Sequence, residues 1–94
     1  MASIYLWEQQ RRANPELAFD DELDAVLSRM ERQTRANDRH RVYEIGLQLC
    51  TIGGGEALRA AYRRMMTLGR EQTRHVRGKI METRWVGIEG TNHG

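Results

Sequence analysis

Most devices that lock or break a chain are scarce in this sequence. Cys50 is the single cysteine, so no internal disulfide can form, and a lone thiol fits a reducing compartment. Pro15 is the single proline, and with Asn14 before it the pair punctuates the chain. Lysine is nearly missing too: Lys79 stands alone beside fourteen arginines. Arginine offers a rigid fork for carboxylate and phosphate, although GC-rich coding produces the same bias. No apolar run approaches the roughly 18 residues that a membrane span needs. Residues Met1 to Gln10 lack a basic start and a long apolar stretch, so no secretory signal and a cytoplasmic location are expected.

With 94 residues, one domain over 1–94 is expected, and its core is thin. Dimerisation or docking on a partner would add apolar burial. The net charge of +2 conceals a polarised chain. Residues 1–31 hold seven acids against three arginines (−4), and residues 32–94 hold twelve basic groups against six acids (+6). Such a chain attracts an acidic ligand or a second copy of itself.

The hydrophobic pattern is helical. Ser3 to Ala13 can form a short helix carrying Ile4, Tyr5, Leu6 and Trp7. Asn14 as N-cap with Pro15 in the first turn starts the next element. Asp20 and Asp21 suit a helix N-terminus, and Leu23, Val26, Leu27 and Met30 form one apolar face running to about Ala36. Asn37-Asp38 reads as a break, with Asp38 able to cap the next helix. Over 39–52 a helix aligns Val42, Ile45, Leu49 and Ile52, while Tyr43, Leu47 and Cys50 widen the apolar arc beyond half the circumference. The same stretch alternates as a strand would, but a lone strand has no evident partner, so the helix is favoured. Gly53-Gly54-Gly55 then reads as a flexible link. The sequence predicts an all-α bundle of three main helices over 16–36, 39–52 and 56–84, packed antiparallel, with a flexible tail over 86–94.

The last helix carries the main candidate site. Arg59, Arg63, Arg70, Arg74, Arg77 and Arg84 fall within an arc of roughly 80° on a continuous helix, about 120° from the apolar face of Leu58, Tyr62, Met65, Val76 and Ile80. Gly69 is the weak point, because a kink there takes Arg59 and Arg63 out of line with the other four. One use of the edge is internal. Asp20, Asp24 and Glu31 share the four-and-seven spacing of Arg59, Arg63 and Arg70, which predicts an antiparallel pairing within the chain or across a dimer. Exposed pairs of this kind contribute about 0–1 kcal/mol each, so they select orientation more than they stabilise. The other uses are a solvated face, or an anionic partner such as the nucleic-acid backbone.

Specific motifs fail. A helix-turn-helix places bulky or charged residues at its small and apolar positions whichever of the three glycines is the turn. The glycine run lacks the lysine and hydroxyl of a phosphate loop, and Glu56 would repel phosphate. His40, His75 and His93 have no ligand-spaced neighbour, and the acids around Asp20 lack a calcium loop's pattern. No metal, cofactor, membrane partner or small-molecule substrate is expected, and no enzyme. Cys50 is expected to be a buried thiol. Tyr5, Trp7 and Trp85 remain as candidate anchors for another protein, since tryptophan and tyrosine are enriched at interface hot spots; capping the bundle ends is the alternative. The expected function is a small regulator or inhibitor that binds another protein, as a homodimer, with nucleic-acid binding through the arginine edge as the alternative. A structural subunit of a larger assembly would look the same.

Overall fold

The computed structural model describes residues 14–88, and every regular element among them is helical. A 3-10 turn, Pro15–Phe19, is the first element among the described residues, and the Asn14 side chain accepts from the Glu16 N–H at 3.1 Å, as the sequence predicts. It runs into α1, Asp20–Arg32, with three acids in the first turn and two arginines in the last, in line with the helix dipole. Helix α2 is Ala36–Leu68 and α3 is Arg74–Trp85, separated by Gly69, Arg70 and the 3-10 turn Glu71–Thr73. The expected helix before Asn14 and most of the expected tail lie outside the described residues. Val86 to Ile88 form a turn, with the Ile88 N–H bonded to the Trp85 carbonyl at 3.1 Å.

Two boundaries differ from the sequence reading, and one between them holds. The chain leaves α1 at 33–35, and Asn37-Asp38 lies inside α2. Asp38 is nearly buried, and it accepts from Arg29 at 3.1 and 3.4 Å rather than capping the helix. Residues 39–52 are helical as expected, and the expected interruption at the glycine run is present, since Gly53 and Gly54 leave helical geometry and kink α2. The helix predicted over 56–84 ends at Leu68, because Gly69 adopts an extended ψ of 155°.

The kink at Gly53 and Gly54 lets one long helix serve one core. On a straight helix, Val42, Ile45 and Leu49 would point roughly 140° away from Ala57, Leu58, Ala61 and Met65. Gly54 takes φ +69° and ψ −158°, a region open to glycine alone, and this corner turns the second face onto the first. All seven side chains are buried, together with Leu23, Val26, Leu27 and Met30 of α1 and Met81 and Trp85 of α3. Contacts between α1 and the first limb of α2 run in opposite chain order: Glu22 meets Arg41, and Arg29 meets Asp38.

Helix α3 is tied down at both ends. Near its start, Arg77 reaches into the angle between α1 and the end of α2. Near its end, the indole of Trp85 lies across Gly46 and donates to the Val42 carbonyl at 2.9 Å. A Cβ on Gly46 would sit 2.5 Å from two indole atoms, so only glycine admits this ring. The opposing helix surfaces are joined by Tyr62, whose hydroxyl donates to Glu82 at 2.9 Å.

Candidate protein-interaction surface

The arginine edge does not survive as a unit. Arg77 is 2% exposed, and its Nε donates to Glu31 at 2.5 Å. Its Nη1 donates to Asp24 at 2.7 Å and to the Met65 carbonyl at 3.0 Å, and its Nη2 donates to Ser28 at 3.0 Å. Those bonds use four of the five guanidinium N–H groups, so Arg77 is a structural tie and not a surface for a partner. Glu31 is held on its other oxygen by the Thr73 hydroxyl at 2.7 Å. Gly69 permits this arrangement, since a Cβ there would lie 3.0 Å from the Arg77 Cδ. The small cavity of about 240 Å³ beside this network is lined by the same groups, with Arg32, Leu68 and Arg70.

The three acids singled out in the sequence do meet arginines inside the chain, but not the predicted ones. Asp20 accepts from Arg64 at 2.8 and 3.1 Å, while Asp24 and Glu31 both accept from Arg77. The match with Arg59, Arg63 and Arg70 presumes a continuous helix, and the break at Gly69 removes it. Of the remaining predicted arginines, Arg59, Arg63, Arg70 and Arg74 are exposed, Arg59 and Arg63 beside one hollow that Glu16 and Glu56 also line, and Arg84 is half-buried. Arg74 donates to the Gly69 carbonyl at 3.2 Å, covering a carbonyl left over at the break.

Of the expected anchors, Tyr5 and Trp7 lie outside the described residues. Trp85 is 7% exposed with its N–H satisfied, so it is a core residue and is closed to a partner in this fold. Cys50 is half-buried at the edge of the core. Among the described residues there is no cluster of three histidine, cysteine or acidic side chains able to hold a metal, and no helix long and apolar enough to cross a membrane.

Among the described residues, two uncovered apolar surfaces bear on partner binding. The first is the outer side of the 36–52 limb. Tyr43 and Leu47 are each 41% exposed one turn apart, and half-buried Cys50 continues their row. The row lies roughly 130° from the buried Val42, Ile45 and Leu49 face. The helix is therefore apolar on two sides and packed on one. Half-buried Ile88 borders the row, its terminal carbon 2.7 Å from where a Gly46 Cβ would be.

The second is a groove of about 260 Å³ between the end of α1, the start of α2 and the length of α3. Its floor is Met30, Val76 and Ile80, and its rim carries Arg39, His75, Lys79 and Arg84. Thr34 and Thr83 complete the lining, which contains no carboxylate. Periodicity alone puts Val76 and Ile80 on an apolar face and Arg84 on a basic one. The two stripes His75/Lys79/Thr83 and Val76/Ile80/Arg84, each at four-residue spacing, are a visible signal of a mixed surface. The contribution of Arg39 is not visible in the sequence, because it comes from another helix.

Elsewhere the surface is laced by ion pairs. Arg41 donates to Glu22 at 2.5 and 2.7 Å, and this guanidinium holds the Glu22 carboxyl below its ordinary range. No family model, curated protein or solved structure matches this chain.

Proposed function

We propose that this chain is a non-enzymatic regulatory or inhibitory protein that works by binding protein, and that it does so as a homodimer. The observation that carries the reading is the row Tyr43, Leu47 and Cys50 on the outside of α2. These side chains extend an apolar arc that the sequence runs past half the helix circumference. A helix of that kind is stable at the centre of a bundle, and here Tyr43 and Leu47 on one of its apolar sides stay exposed among the described residues. Pairing two such rows across a two-fold axis places like against like, which is the geometry of an isologous interface. A thin 94-residue core gains most from such burial. The half-buried thiol of Cys50 accords with a cytoplasmic setting, which is part of the proposal.

The test is sedimentation equilibrium of the wild type and of Leu47→Glu. Dimeric wild type and monomeric Leu47→Glu with unchanged far-UV circular dichroism are the expected results. A wild type that is monomeric at about 100 μM would refute the homodimer, since a standard interface of roughly 800 Å² per partner supports tighter association.

A second reading, binding of backbone phosphates, keeps support from the exposed Arg63, Arg70 and Arg74. Titrating labelled duplex DNA from about 50 to 200 mM salt separates the two, because phosphate binding collapses steeply over that range.

A further inference from the structure

The groove between α1, α2 and α3 differs from the Tyr43 row in both chemistry and shape. Its floor is apolar: Met30 from α1, and Val76 and Ile80 one turn apart on α3. At about 260 Å³ it falls below the roughly 300–1,000 Å³ of sites that enclose small molecules. It can take the tips of apolar side chains presented by something larger. The rim decides what that is. Arg39 stands on the α2 side, and Lys79 and Arg84 stand on α3 five residues apart, with His75 one turn before Lys79. Against them the lining has no acid. Arg29, Arg41, Arg64 and Arg77 are each held by carboxylates of this chain, whereas the rim cations face a groove with none.

We infer that this groove is the docking site for an acidic amphipathic helix of a partner protein. The inference rests on reading the chain as a protein-binding module, and it names the partner's chemistry. An apolar pair four residues apart on the partner fills the space over Val76 and Ile80, and Asp or Glu on either flank meets Arg39 on one side and Lys79 and Arg84 on the other. The apolar contact provides the affinity, while the rim sets the partner's charge and steers its approach. Nucleic acid fits poorly here, because an apolar floor offers nothing to a sugar-phosphate backbone.

The test starts from a displayed library of 16-residue helical peptides with randomised surface positions, selected against the wild-type protein. Selected peptides are expected to combine an apolar pair at i and i+4 with flanking acids. Their addition is expected to shift the amide resonances of Met30, Val76 and Ile80. Reversing the rim with Lys79→Glu and Arg84→Glu together is expected to weaken binding at least about ten-fold at 50 mM salt, with circular dichroism unchanged. Ile80→Glu is expected to abolish it. Selection of neutral or basic peptides, no enrichment at all, or shifts confined to the Tyr43 and Leu47 row would each overturn the inference. So would a 20-base-pair DNA duplex that shifts the same groove amides. A monomeric protein that binds the acidic peptides would sink the homodimer and leave this site standing; a dimer that selects no acidic peptide would do the reverse.

Discussion

Arg77→Met is the most demanding perturbation of this fold. The side chains of Arg77 and Glu31 are 2% and 7% exposed, so removing the cation strands a carboxylate away from water. Breaking a buried pair from one side costs about 3–5 kcal/mol, mostly the desolvation of the charge left behind. Asp24 adds little to the loss, because its side chain is 40% exposed and water can replace the guanidinium. The Met65 carbonyl keeps the Gly69 N–H at 3.0 Å, so it is not orphaned either. The cost therefore sits on Glu31, and it is a large part of the roughly 5–15 kcal/mol by which small domains are stable. Urea unfolding followed by circular dichroism reads it directly. With a slope near 1.5 kcal/mol per molar, the midpoint falls by about 2–3 M. Adding Glu31→Gln removes the stranded charge, while the amide oxygen still accepts from Thr73, so the double variant is expected to recover about 2 kcal/mol. Arg70→Ala and Arg63→Ala, both at exposed positions, are controls expected to stay within about 0.5 kcal/mol. A loss below about 1 kcal/mol in Arg77→Met, or a double variant no more stable than the single, would refute the reasoning.

Two glycine substitutions separate packing from backbone strain. Gly46→Ala forces a Cβ to within 2.5 Å of the Trp85 indole, and is expected to cost about 1–3 kcal/mol with a red shift of tryptophan emission as the ring is displaced. Gly54→Ala meets no atom within 4 Å, so its expected loss of about 1–3 kcal/mol comes from φ +69° alone and leaves the emission of Trp85 unchanged. Equal emission shifts in both would show that the kink and the indole site are coupled. For Glu22, the bonded Arg41 lowers the folded carboxyl below its ordinary value of 4.5. Its stabilisation is complete above that value and is lost as pH falls through the folded one. Arg41→Gln is expected to move the NMR titration of Glu22 upward; an unchanged midpoint would mean that Arg41 is not the cause.

Much of the fold is legible in the sequence because helical periodicity is local. The α1 face Leu23, Val26, Leu27 and Met30 is buried as predicted, and the cap at Asn14 forms. The ambiguity at 39–52 resolves to helix, since no second strand exists among the described residues to pair with it. Segment ends are less legible. Three consecutive glycines look like a flexible joint, yet only Gly53 and Gly54 leave helical geometry, and packing holds the helix on both sides. Gly69 looks like a kink and is a full break, because the long-range bonds of Arg77 and Thr73 to Glu31 secure the turn.

The sequence by itself determined that the chain is helical and which faces are apolar, and it offered pairing of Asp20, Asp24 and Glu31 with arginines as one use of its charges. It could do so because spacing along one helix fixes which side chains share a face. Only the tertiary structure decided which arginines those acids receive, that Trp85 belongs to the core, and that Met30, Arg39 and Ile80 border one groove. Those outcomes depend on the angles at Gly54 and Gly69, where a few degrees of backbone rotation move whole helices and no periodicity records the direction.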